Sequence, residues 1–227
     1  MAASPLTQPP YHLELEVLKQ RLLAMGGFAE EQLRAVMGAL VARDAPALEN
    51  IYGGDEPINS LHIEIDGRAF SLLSAFRPDG ADLRAVVAAI KMNADLERVG
   101  DLVVNIAEAA TRYVHHMPVK PLHDLPRMAE LAQHMLGDAL DAFVRRDTDL
   151  AESVLARDDE LDSLKSRIFG DLLAYMREDP AKIEPSLELI LISRHLERVG
   201  DHATNIAEDV IFVVTAQDVR HAAPGGR

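Results

Sequence analysis

The sequence predicts an all-α fold: two tandem three-helix bundles related by an internal repeat. Three observations predict it. The block Leu96-Glu97-Arg98-Val99-Gly100-Asp101 recurs as Leu196-Glu197-Arg198-Val199-Gly200-Asp201, and Asn105-Ile106-Ala107-Glu108 recurs as Asn205-Ile206-Ala207-Glu208. Both recurrences fall at one offset of 100 residues, so the chain reads as a tandem duplication. Apolar residues repeat at three- and four-residue steps over long segments, the period of a helix face. Hydrophobic residues make up 48% of the chain but aromatic residues only 4%. That vocabulary, rich in Ala, Leu, Val, Glu and Arg, suits helices better than sheets.

The elements follow in order. Residues 1–10 contain Pro5, Pro9 and Pro10 and read as a disordered tail. The first bundle is expected over 11–117. Its first helix runs from about Tyr11 to Arg43 on the apolar series Leu15, Leu18, Leu22, Met25, Leu33, Val36, Met37 and Leu40, with Gly26-Gly27 marking a kink. Its second helix runs from near Pro46, a favoured first-turn residue, to about Phe76, where Arg77-Pro78-Asp79-Gly80 turns the chain. Its third runs from Asp82, expected as an N-cap, to about His116. Pro118, Pro121 and Pro126 cannot continue a helix, so 118–126 is expected as a linker. The second bundle is expected over 127–217. Its helices begin near Leu125 and end near Arg146, then run Thr148 to Glu178 and Ala181 to Ala216, with Asp179-Pro180 between the last two. Ile58 to Ile65 and Val210 to Thr215 are β-branched runs, read as buried helix by their length and flanks. Residues 218–227 read as a second disordered tail.

Composition narrows the function classes. Cysteine is absent, which excludes disulfide scaffolds, thiolate metal sites and Cys nucleophiles and fits a reducing compartment. The first ten residues carry no basic run and no apolar core, so they are not read as a secretory signal. No stretch of 18 apolar residues occurs, so the chain is expected not to span a membrane. A formal net charge of -14 argues against nucleic acid, whose binding needs Lys and Arg at phosphates. Cations and basic protein surfaces suit such a chain better.

The repeated block is unusual in what it retains. Glu, Asp, Asn and Arg are identical between the copies while many apolar positions differ; packing alone would more naturally retain apolar character. Residues four apart share a helix face, so Glu97, Asp101, Asn105 and Glu108 are expected to form a polar stripe about 16 Å long, and Glu197, Asp201, Asn205 and Glu208 to repeat it. Like charges at that spacing oppose the helix by a few tenths of a kcal/mol per pair, and a bound cation is one compensation. Antiparallel hairpins turning near Asp79 and Pro180 put further acid pairs at the same height. Asp55 falls level with Val103 and Asn59 with Val99; Asp158 falls level with His202 and Asp162 with Arg198. Height alone does not fix which way the helices face. If they face, each half gathers three or four oxygen ligands, a set that binds a hard or intermediate cation or raises a pKa. His195 and His202 flank only the second set and read as packing or surface residues rather than ligands. Gly100 and Gly200 lie mid-helix at a cost of about 1 kcal/mol each; they are expected to let another helix, or the metal cluster, approach. Arg98 and Arg198 read as salt-bridge partners of these carboxylates.

At these residues the chain resembles the PhoU family of phosphate-uptake regulators, over about residues 11 to 217. The acidic motif pair of that family matches Asp55-x-x-x-Asn59, Glu97-x-x-x-Asp101, Asp158-x-x-x-Asp162 and Glu197-x-x-x-Asp201 here. Asp82-Leu83-Arg84, Asp95 before the repeated block, and Glu30-Glu31-Gln32-Leu33 in the first helix match further family phrases. The resemblance implies two three-helix bundles and metal ions held at Asp55, Asn59, Glu97, Asp101, Asp158, Asp162, Glu197 and Asp201. Iron or zinc is the metal it implies, with manganese or magnesium as alternatives. It also implies a negative regulator of phosphate uptake and of phosphate-starvation signalling. Such a protein works beside the Pst phosphate ABC transporter and its sensor histidine kinase, in the cytoplasm or recruited by those partners to the inner face of the membrane. Neutral Asn59 and the glycine at position 67 make the first site the weaker one. A homodimer is expected from long apolar helix faces on two similar halves.

Two other classes compete. A metal-free acidic helical scaffold would use the same stripes to bind basic surfaces. A di-iron carboxylate enzyme would need the Glu-x-x-His pattern of ferritin-like bundles, which is absent, as are a P-loop, G-x-S-x-G and His-Glu-x-x-His. The chain is therefore read as a regulator and not an enzyme.

Overall fold

The computed structural model describes residues 10–52, 56–119 and 124–219. The two expected tails fall almost wholly outside these. The described residues are helical, without a strand among them. In chain order the α-helices are α1 (Tyr11–Ala42), α2 (Ala45–Tyr52), α3 (Glu56–Phe76), α4 (Gly80–Val114), α5 (Asp124–Arg145), α6 (Thr148–Leu155), α7 (Asp158–Glu178) and α8 (Ile183–Thr215). A short 3-10 turn, Pro180–Lys182, leads into α8.

The β-branched runs at Ile58 and Val210 are helix, as expected, with Ile58, Ile65, Val210 and Val213 buried and Ile63 and Val214 exposed. Four expectations need correction. The fifth segment is two helices, α6 and α7; in the second, residues 53–55 between α2 and α3 lie outside the described residues. In the second half the break is held by Arg157. Its guanidinium bonds Asp138 of α5 at 2.6 Å and also Ser153, which fixes the turn between Leu155 and Asp158. α4 begins at Gly80, with Asp79 rather than Asp82 at the N-cap; Asp82 sits in the first turn, where a negative charge favours the helix dipole. α5 begins at Asp124, inside the expected linker. Pro126 is in its first turn, where its missing N–H breaks no helix bond. Gly26 and Gly27 do not interrupt α1, which is continuous. Gly26 is buried, and a Cβ there would overlap Leu140 of α5. It is a notch for a crossing helix.

α1, α3 and α4 form one three-helix unit and α5, α7 and α8 the other, with α2 and α6 laid over α4 and α8. α4 and α8 pack against each other and run antiparallel, as three cross-pairs show: Lys91–Asp209 at 2.6 Å, Asp95–His202 at 2.8 Å and Arg112–Glu188 at 2.9 Å. Gly100 and Gly200 therefore lie at the centre of the pair, where the two repeats are related by a pseudo-two-fold axis. α1 also packs on α5, and one continuous hydrophobic core runs through both halves.

Candidate metal site on the paired helices

Two glycines set the heights of the neighbouring carboxylates. A Cβ on Gly100 would lie 3.0 and 3.2 Å from Ile58 Cδ1 and Cγ2, and one on Gly200 would overlap Leu161 Cδ2. The glycines thus let α3 approach α4 and α7 approach α8 closely. Ile58 against Gly100 is the height expected for the first hairpin. Leu161 against Gly200 is within a residue of that expected for the second.

In the second half a lysine joins two of the expected side chains. Lys165 of α7 bonds Asp162 at 3.0 Å and crosses to Glu197 of α8. Asp158 is held above the usual aspartate range by burial first, then by the charges of Asp162, Asp159 and Glu197, with Lys165 opposing. Asp201 is raised by burial, then by Glu197 and Asp158, with His202 opposing; solvent still reaches it, which tempers that shift. Burial first, and then like charges nearby, disfavour ionisation of Asp158 and Asp201. Lys165 brings Asp162 of α7 and Glu197 of α8 to one ammonium, and Asp158 and Asp201 lie within reach of their charges.

The first half differs. Asp55 lies outside the described residues. Asn59 is exposed on α3. Arg98 of α4 reaches Asp101 at 3.1 Å and Glu97 at 3.5 Å, with its side chain 61% exposed. That is the solvated salt bridge expected of it, worth on the order of 1 kcal/mol or less.

Neither histidine sits as a ligand. His202 Nδ1 faces Asp95 of the other half. His195 is kept below the ordinary imidazole pKa by burial and by Arg198 and Arg194, so it is neutral at pH 7, and its Nδ1 is buried without a hydrogen-bond partner. Asn205 leaves the expected stripe and turns its amide toward Asp95, at 3.4 Å.

Among the described residues no three His, Asp or Glu side chains are arranged to hold a metal ion as they stand. The α7–α8 set supplies carboxylate oxygens of the kind a hard or intermediate cation takes, but Asp162 and Glu197 are paired with the Lys165 ammonium as they stand. Lys165 escaped the sequence reading. Its signal was its place three residues after Asp162 and seven after Asp158, on their own face of the helix.

Relatives agree with this architecture along the chain. The phosphate-specific transport system accessory protein PhoU homolog of Caulobacter vibrioides is 38% identical over 219 residues, covering 96% of this chain and 95% of that protein. The homolog so named in Clostridium acetobutylicum is 37% identical, covering 94% of this chain and 98% of its own length. The crystal structure of PhoU from Pseudomonas aeruginosa superposes with a TM-score of 0.86 at 35% identity, covering 92% of this chain and all of that one. The phosphate transport system regulatory protein PhoU from Streptococcus pneumoniae gives 0.86 at 28% identity, covering 92% and 99%. The PhoU domain itself matches twice, at residues 22–110 and 125–210, once in each half of the duplication. With both of its helical units matched, this chain belongs to the PhoU family.

Proposed function

We propose that this chain is a metal-binding negative regulator of phosphate uptake and of phosphate-starvation signalling. It acts as a homodimer beside the phosphate ABC transporter and its sensor histidine kinase, in the cytoplasm or at the inner face of the membrane. Regulation of phosphate transport is supported by relatives matched over almost their whole length, each named for that transport system. Metal binding is supported by one observation above others: burial and nearby carboxylate charges raise the pKa of Asp158 and Asp201, beside Asp162 and Glu197, which Lys165 joins across α7 and α8. No described helix is long and apolar enough to cross a membrane, so association with a transporter would run through its partners.

The residues divide the work. Asp158, Asp162, Glu197 and Asp201 would hold the ion in the second half, and Glu97, Asp101, Asn59 and Asp55 in the first. Iron or zinc, or alternatively manganese or magnesium, would supply positive charge that cross-links α3 to α4 and α7 to α8. Gly100 and Gly200 keep each helix pair close enough to share it.

Elemental analysis of freshly purified, untagged protein tests this reading. Bound iron or zinc that disappears when Glu97, Asp101, Glu197 and Asp201 are all changed to Ala supports it. A metal-free protein that still co-purifies with the transporter points to the acidic scaffold. Light scattering at micromolar concentration decides the dimer, which a monomer mass would refute.

A further inference from the structure

Gly67 sits in the interior of α3 with no packing reason inside the chain. Gly26, Gly100 and Gly200 each admit a side chain of a crossing helix, but a Cβ on Gly67 would meet nothing within 4 Å. Gly27, Gly38 and Gly170 are open in the same way. Among these, Gly67 alone is bracketed on its own helix face by large exposed apolar side chains: Ile63, four residues before it, is 73% exposed, and Phe70, three after it, is 63% exposed. Beside the bracket, α1 and α3 leave an open groove of about 560 Å³, lined by Glu14, Ile63, Glu64, Gly67, Arg68 and Phe76 among others. Charge is balanced along its rim. Arg21 lies 3.0 Å from Glu64, and Arg68 lies 2.8 Å from Glu64 and 3.5 Å from Glu14. Two cations and two anions leave this rim neutral on a chain of formal net charge -14.

We propose that this face of α3 is the contact between two copies of the chain, which cross antiparallel at Gly67 about a two-fold axis. The inference rests on the homodimer of the proposed function and assigns its contact. Two features single out a second copy as the occupant. The first is spacing. In a two-fold contact, a residue that meets another is met by it in return, and in an antiparallel crossing at Gly67, positions equally far from it on opposite sides share a height. Ile63 then falls level with Ser71 and beside Phe70 of the second copy, and Phe70 falls level with Glu64, at the groove. The notch at Gly67 lets the two helices approach until these side chains interdigitate. The second feature is charge. The same crossing leaves Arg68 of one copy about 3 Å along the axis from Glu64 of the other, on one flank, so each gains an opposite charge. Over most of the acidic remainder, self-pairing sets like charges together. Counting from Ile58 over Gly100 and Leu161 over Gly200, Gly170 holds the position of Gly67 in the second half. There Ser166 and Leu173 replace Ile63 and Phe70, so the contact belongs to the first half.

Light scattering and sedimentation equilibrium of the full chain read this contact. Phe70→Glu should weaken the dimer by about a hundredfold or more, because one apolar side chain is lost from each copy at once. Gly67→Leu fills the notch. Nothing opposes a side chain there within the chain, so this variant should keep its helical content by circular dichroism while its mass falls to that of a monomer. Gly170→Leu, at the equivalent position, should keep the parent mass. The chain has no cysteine, so a single introduced one can pair only with another copy. Gly67→Cys should cross-link under mild oxidation far faster than Gly170→Cys, since a disulfide needs close and fixed partners. Parent-like dimers in folded Phe70→Glu and Gly67→Leu, or equal cross-linking at 67 and 170, overturn this contact and leave the homodimer standing. A parent chain that stays monomeric at every concentration overturns the homodimer, and this contact with it.

Discussion

Replacing Gly100 with alanine sets two helical effects against each other at one position. In an open helix the change from Gly to Ala stabilises by about 1 kcal/mol, because the backbone loses less entropy on folding. At Gly100 the new methyl would meet Ile58 at 3.0 and 3.2 Å, with Ile58 Cβ at 3.7 Å. Ile58 is 1% exposed, and a β-branched side chain in a helix has essentially one rotamer, so it cannot swing aside. Overpacking of this kind costs about 1–3 kcal/mol. The steric term wins, and Gly100→Ala should destabilise by about 1 kcal/mol net. Gly27→Ala is the internal control: it is exposed on α1 with nothing within 4 Å of a Cβ, and should stabilise by about 0.5–1 kcal/mol. Urea unfolding followed by circular dichroism reads both, and a thermal scan should separate them by about 2–4 °C per kcal/mol for a chain of this size. If Gly100→Ala stabilised as much as Gly27→Ala, the close approach of α3 would not be what the glycine serves. Gly100→Leu should be far more damaging; a Leu variant with fold and metal content intact would refute the same point independently.

Further outcomes follow from other parts of the molecule. Glu30 of α1 lies over Gly137 of α5, and its pKa is raised by burial, opposed by Arg34, raised further by Asp141 and Asp138, and opposed again by His134. A raised carboxylate means the folded state holds the proton more tightly. Its contribution to stability therefore falls as pH rises from the unfolded pKa through the folded one, and the full cost is in place above both. Glu30→Gln should then help more at neutral pH than in acid; an equal gain at both ends of a urea-midpoint series in pH would contradict the placement. Arg43 donates to the carbonyls of Val114 and His116 and sits 5.1 Å over the Tyr113 ring, closing the end of α4. Arg43→Met should lose about 2 kcal/mol, and an unchanged urea midpoint would remove this role. Arg157→Ala should release the turn between α6 and α7, read as faster amide exchange at residues 155–160; protection equal to wild type would mean the bend stands without Asp138.

Much of the fold was legible because helical periodicity is a local property. The apolar series beginning at Leu15 placed α1, and the doubled block placed α4 and α8 at equivalent positions. The missed break at Arg157 shows the limit. Apolar spacing continues across a bend, and what fixes the bend at Arg157 is Asp138, nineteen residues away on another helix. Pro126 shows the converse: a proline that forbids a helix interior is welcome in a first turn, as the helix expected from about Leu125 allowed and the linker bound at 126 did not. The candidate site was half legible. Its acids and their heights could be read from the repeat and the hairpin turns, but Lys165 was overlooked, and the Asp95–His202 contact pairs residues 107 positions apart.

The sequence by itself determined that the chain is helical, duplicated, acidic and lined with carboxylates at i, i+4, because period, identity and charge are all written along one dimension. Rotation about a helix axis and the identity of a facing neighbour are not. Only the tertiary structure decided that Lys165 of α7 pairs with Asp162 and crosses to Glu197 of α8, and that Arg98 reaches Glu97 and Asp101. Side-chain direction depends on which apolar stripe each helix buries, and that is settled only when Leu161 meets Gly200 and Ile58 meets Gly100.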